Sequence, residues 1–201
     1  RYSTEKGIYP AALEQLARTV RLIRQNAGEW HVRKDAIVIT GFSAGGHLAA
    51  EYACKWDRPA LSAAAEAERE ELRPNALVLG YPVITAGAAA HEESIHNLLG
   101  AQDTPKMRRS VSLETQVSGC VPPVFLWHTA TDEMVNAENS LLFASALARE
   151  KIPYELHIYG SGVHGVSLGT RATVGEEKHV SHGCAGWFAQ AARFLQRVLH
   201  E

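Results

Sequence analysis

Ser43 stands between two glycines in Gly41-Phe42-Ser43-Ala44-Gly45, directly after the β-branched run Ala36 to Thr40 and directly before a helical pattern that starts near Ala44. Glycines around a serine are a weak signal alone, but strand, sharp turn and helix in that order lift a hydroxyl clear of a sheet. The glycines remove side chains that would collide in the turn, and the helix start brings its positive dipole end and N–H groups beside the oxygen. A serine hydroxyl attacks a carbonyl only when a base takes its proton, and a histidine held by a carboxylate is such a base. Both partners are expected later, in the order serine, acid, histidine, each just past a strand end. Asp132 follows the run Val124 to His128 by four residues, and His164 follows the run that ends at Tyr159. Both fall at carboxyl ends of strands, the edge where open α/β sheets place their ligand sites.

The alternatives are few. Glu133 neighbours Asp132 and could orient the imidazole instead. Among the ten histidines, His31, His91, His96 and His200 sit in polar or helical contexts and read as solvated, and His47, one turn into the helix after Ser43, reads as a packed or hydrogen-bonded support. His179, His182 and Cys184 could be a metal cluster, but Ser181 before a helical run reads better as a helix cap. No metal and no organic cofactor is expected.

The elements that must position these residues alternate between strand and helix. Leu13, Leu16, Ala17, Val20, Ile23 and Ala27 recur at three- and four-residue steps after Pro10, giving an amphipathic helix closed by Gly28. Ala36 to Thr40, Ala76 to Leu79, Val124 to His128 and Tyr154 to Tyr159 are short runs of the kind found in strands buried on both faces of a parallel sheet. Helical patterns at about 137–150 and from Cys184 through Trp187, Ala191, Phe194 and Val198 can cover the two faces. The fold class expected is α/β, a parallel sheet flanked by helices. Pro59 to Arg73, rich in Ala, Glu and Arg, reads as an exposed, solvated helical insertion, and a short helix is expected around Glu92 to Leu99. No repeat, linker or domain boundary is visible, so residues 1–201 read as one domain.

Composition narrows the partners. Twenty Lys+Arg against 22 Asp+Glu give a net charge of −2 with no basic run, which argues against nucleic acid and membrane surfaces. A content of 46% hydrophobic and 21% charged residues is that of a globular domain, and no apolar stretch approaches the roughly 20 residues of a membrane span. Three cysteines, odd in number and widely spaced, do not form a disulfide framework and suggest a reducing, cytoplasmic setting. The chain begins at Arg1 in mid-pattern, so a leader before it stays open.

Taken together, Gly41-Phe42-Ser43-Ala44-Gly45-Gly46-His47-Leu48, the lead-in Tyr9-Pro10-Ala11-Ala12-Leu13-Glu14, the segment Val124 to Val135, and Glu155-Leu156-His157 running to His164-Gly165 resemble the α/β-hydrolase superfamily. They are similar to its prokaryotic esterase/lipase-like branch of acetyl and xylan esterases. The resemblance covers nearly the whole chain. It implies a catalytic triad of Ser43, Asp132 and His164, an oxyanion hole using the Ala44 N–H, and a small-molecule ester as substrate, with short acyl groups on carbohydrates or small alcohols favoured. Gln15 and Asn136 replace a usual Asp and Pro, while Phe42 and His47 differ from the Asp and Asn of the hormone-sensitive-lipase branch. The family's first strands and its Gly-rich loop, source of a second oxyanion donor, precede the point where this sequence starts. The resemblance therefore implies the C-terminal portion of a longer domain, with an open sheet edge at Ala36 to Thr40. A peptidase, amidase or lactonase with the same triad, or a silent truncated module, are the other readings.

Overall fold

The computed structural model describes residues 5–173 and 183–200. Among them, four strands form one parallel sheet in the order β1-β2-β3-β4: β1 Val38–Phe42, β2 Ala76–Gly80, β3 Val124–Thr129 and β4 Tyr154–Tyr159. The helices are α1 Ala11–Gln25, α2 Ala44–Lys55, α3 Pro59–Ala65, α4 Glu92–Leu99, α5 Pro105–Val111, α6 Glu138–Arg149 and α7 Trp187–Val198. None of the helices among the described residues is long and apolar enough to cross a membrane.

The apolar runs of β2 and of Val124 to Trp127 in β3 follow from having two covered faces. Side chains alternate across a strand, so Leu77, Leu79, Val124 and Leu126 share one core with α1, α2 and α6, while Val78, Phe125 and Trp127 share another with Trp187, Ala191 and Phe194 of α7. Trp127 stacks on Trp187 with ring centroids 5.1 Å apart. A third cluster, Val83, Ile95, Leu99, Val111 and Val135, ties α4 and α5 to the loops beyond β2 and β3.

Several expectations shift. β1 starts and ends two residues later than the run Ala36 to Thr40, because Gly41 and Phe42 still pair with Leu79 and Gly80. β4 is not buried on both faces: it is an edge strand, and Tyr154 and Ile158 are exposed. β1 is the other edge, with β2 its strand neighbour. Pro59 to Arg73 is not a solvated helix. It is α3 and a short 3-10 turn, Arg69–Leu72, separated by Glu66 in a left-handed conformation. Leu61, Ala65 and Leu72 are buried, and Arg18, Arg21 and Arg24 of α1 donate to the carbonyls of Ala64, Ala65 and Glu71 at 2.9, 2.7 and 2.6 Å. Those carbonyls lie at the C-terminal ends of the short helix and of the turn, and the guanidinium groups satisfy them. Helix α5 was not expected from the polar residues around it. His179, Ser181 and His182 lie outside the described residues; α7 itself begins at Trp187 after Gly186, which makes no side-chain cap.

Candidate active site

Ser43 is the residue between β1 and α2, with φ 54° and ψ −123°. A serine rarely adopts positive φ, and the neighbourhood forces it: Ser43 N donates to Gly80 O at 3.1 Å, and its carbonyl accepts from His47 N at 3.2 Å and Val83 N at 3.1 Å. The turn closes only without side chains beneath it. A Cβ on Gly41 would sit 2.3 Å from Gly45 O, and one on Gly46 would sit 2.7 Å from the Pro82 Cβ. Gly46 lies one residue beyond the Gly41 to Gly45 stretch, and its close approach to Pro82 gives its role.

The structure brings Ser43, Asp132 and His164 together. His164 Nε2 lies 2.8 Å from Ser43 Oγ, and His164 Nδ1 lies 2.7 Å from Asp132 Oδ2. Asp132 has no exposed side-chain surface, and its Oδ1 accepts from Met134 N at 3.0 Å and Val135 N at 2.9 Å. Burial works against its charge, but hydrogen bonds from His128, His164 and the Val135 N–H outweigh it and hold the carboxyl well below the usual carboxylate range. An ionised carboxylate only accepts, so the His164 proton sits on Nδ1 and Nε2 is left to accept from Ser43. Glu133 is exposed and makes no such contact.

Two further groups set the imidazole. The Tyr81 ring packs edge-on against it with centroids 4.9 Å apart, and Tyr81 OH accepts from Ser167 N at 3.3 Å. Thr129 and Thr131 clamp the loop before His164: both hydroxyls donate to Gly162 O, at 2.9 and 3.1 Å, and Gly162 N donates to Thr131 Oγ1 at 2.9 Å. The sequence alone singles out none of the three. His47 is buried, with Nδ1 3.2 Å from Val83 O. His31, His96 and His200 are exposed, whereas His91 caps α4 by accepting from Ser94 N at 3.3 Å. Ala44 is exposed at the first position of α2, where a backbone N–H has no partner within the helix. Beside it lies a cavity of about 210 Å³ walled by Tyr9, Pro10, Leu13, His47, Leu48 and Leu98 among others.

A parallel sheet covered by helices, with serine, aspartate and histidine carried on the loops after its first, third and fourth strands, defines an α/β-hydrolase. The chain belongs to the BD-FAE family, whose family model matches residues 1–147. Ser43 and Asp132 fall inside that match and His164 beyond it. Over 161 residues the chain is 38% identical to endo-1,4-beta-xylanase B of Butyrivibrio fibrisolvens, a match covering 80% of this chain and 25% of that protein. It is 32% identical over 155 residues to the acetylxylan esterase of Xylanibacter ruminicola, covering 75% and 30%. The crystal structure of the carboxylesterase Cest-2923 from Lactobacillus plantarum superposes with a TM-score of 0.83 at 32% identity, over 96% of this chain and 70% of that one. The chain thus spans about a quarter to a third of the curated relatives it matches.

Proposed function

We propose that this chain carries the catalytic centre of a serine hydrolase acting on carboxylic esters. The observation that supports it most is the unbroken relay from Ser43 Oγ through His164 to Asp132, with links of 2.8 and 2.7 Å. Ser43 attacks the ester carbonyl as His164 Nε2 takes its proton. The tetrahedral oxygen gathers charge and accepts from the Ala44 N–H, one donor of the oxyanion hole. His164 then returns the proton to the leaving alcohol, and water, activated in the same way, frees the acyl group from Ser43. Asp132 stays ionised and stabilises the imidazolium in both halves.

The substrate is a short acyl ester, of acetyl size, on a carbohydrate or small alcohol. Likeness to an acetylxylan esterase supports this class. So does the 210 Å³ cavity beside Ala44, which has room for a small acyl group.

A fluorophosphonate probe and p-nitrophenyl acetate test the reading on the chain and on Ser43→Ala. The expected result is one label on Ser43, turnover of the acetate, and loss of about 10⁴- to 10⁶-fold in the variant. Turnover should fall as the acyl chain lengthens and be negligible on an aminoacyl anilide. Equal turnover in Ser43→Ala, or faster cleavage of the anilide than of the ester, would overturn it.

A further inference from the structure

His128 occupies the end of β3 with no exposed surface, and both its ring nitrogens have partners. Nε2 lies 2.9 Å from Val135 O and 3.4 Å from Asp132 Oδ2, while Nδ1 lies 2.8 Å from Ser140 Oγ. Both groups facing Nε2 can only accept, so Nε2 carries the hydrogen; in the neutral ring Nδ1 then accepts from the Ser140 hydroxyl. Ser140 is itself fully buried on α6, beside Asn139, whose Oδ1 accepts from Ile84 N at 2.8 Å and Thr85 N at 3.0 Å. The hydroxyl that bonds Nδ1 is therefore on an anchored turn.

The Nε2–H is shared unequally. Its shorter bond goes to the carbonyl of Val135, the residue whose own N–H holds Asp132 Oδ1 at 2.9 Å, and its longer contact goes to Asp132 Oδ2, the oxygen that faces His164. One imidazole thus restrains the carboxylate twice, through the residue whose N–H grips one oxygen and by facing the other. A buried carboxylate short of donors either takes up a proton or turns toward new ones, and here either change would spoil its contact with His164.

We propose that His128, with its Nε2 hydrogen fixed by the acceptors it faces and its ring held by Ser140, is a positioning residue for Asp132. It keeps the carboxylate ionised and aimed at His164 Nδ1 without touching substrate. This rests on the reading of Ser43, His164 and Asp132 as the reacting triad.

The test compares His128→Leu, His128→Gln and Ser140→Ala with the unaltered chain, each checked for folding by circular dichroism. Leucine removes the N–H, glutamine restores an N–H near the Nε2 position, and Ser140→Ala, the mildest change, removes the partner of Nδ1 and loosens the ring. With p-nitrophenyl acetate, His128→Leu should lower kcat by about 10- to 100-fold with KM within about twofold, as outer partners of active-site groups typically do. That loss is smaller than the roughly 10⁴-fold that follows when the triad acid itself fails to hold the tautomer. His128→Gln should recover most of the loss, and Ser140→Ala should fall between. The low-field proton signal of His164 Nδ1–H, assigned by its disappearance in Asp132→Asn, should shift in His128→Leu and return in His128→Gln. A folded His128→Leu with unchanged kcat and an unchanged signal overturns the proposal. So does a fall in kcat, rise in KM and loss of melting temperature that glutamine does not rescue, since that marks a purely structural histidine. If the unaltered chain neither labels at Ser43 nor turns over ester, the triad reading fails, and the Nδ1–H signal alone decides the placing of Asp132.

Discussion

At the scale of single residues, Asp132 is where burial and charge meet. Its carboxyl is held below the ordinary range despite burial, which opposes the charge, because His128, His164 and the Val135 N–H donate to it. A folded-state pKa below the unfolded one adds stability that is complete above the unfolded value and is lost as pH falls through the folded one. Compared with Asp132→Asn, the native chain should therefore hold its full advantage in urea midpoint at pH 7 and lose it progressively below about pH 4. A gap that stays constant down to pH 2.5 would show that the carboxylate is not held by these donors. Ser43, Asp132 and His164 were legible in the sequence because each sits in a loop directly after a strand, with a type that fits one role. His128, Tyr81 and Thr131 were not legible. His128 reads only as the end of a strand and the other two carry no signal, because their meaning comes from contacts across 7 to 86 positions of chain, such as His128 to Val135 and Ser167 N to Tyr81 OH.

Elements were legible where composition alone decides their surroundings. β2 and the first four residues of β3 are apolar because α7 covers one face and α2 and α6 the other, and the limits of both strands agree with the sequence to within a residue. β4 alternates Tyr154, Leu156 and Ile158 with Glu155 and His157, and among the described residues it has one strand neighbour. α3 was misread because its Ala and Leu faces are short and its flanks are charged, while the arginines that bury its end lie on α1, more than forty residues earlier. The junction of β1 and α2 carries the element-scale prediction. Gly41→Ala would put a Cβ 2.3 Å from the Gly45 carbonyl, backbone against backbone, so the turn itself must shift. The expected cost is about 1–3 kcal/mol, with slower fluorophosphonate labelling of Ser43. Gly119→Ala, where nothing lies within 4 Å, should change neither urea midpoint nor labelling. Equal behaviour of the two variants would mean that the elbow does not depend on the missing side chain.

Across the whole molecule, one buried ion pair joins three separate stretches of chain. Lys55 and Glu51 of α2, with side chains 3% and 2% exposed, meet at 2.5 Å. Tyr9 OH donates to the same Glu51 oxygen at 2.9 Å, and Lys55 Nζ reaches Tyr9 OH at 3.2 Å and Ser110 O at 2.9 Å. Burial, and then the neighbouring carboxylate, push the Tyr9 phenol up, so it remains a donor at neutral pH. The lead-in segment and the end of α5 are thereby fixed to the helix that begins at Ser43, and Tyr9 is set in the wall of the cavity beside Ala44. A pair of this kind adds little beyond an apolar replacement, yet breaking it strands a charge without a partner. Lys55→Met alone should therefore destabilise the chain by about 3–5 kcal/mol in urea unfolding, whereas Glu51→Leu combined with Lys55→Met should recover most of that loss. The double variant also frees Tyr9 of its acceptor, so its KM for p-nitrophenyl acetate should rise while the rate of Ser43 labelling at saturating probe stays near that of the native chain. If Lys55→Met costs under about 1 kcal/mol, as exposed pairs do, the three stretches are not held together here and Tyr9 is placed by apolar packing alone.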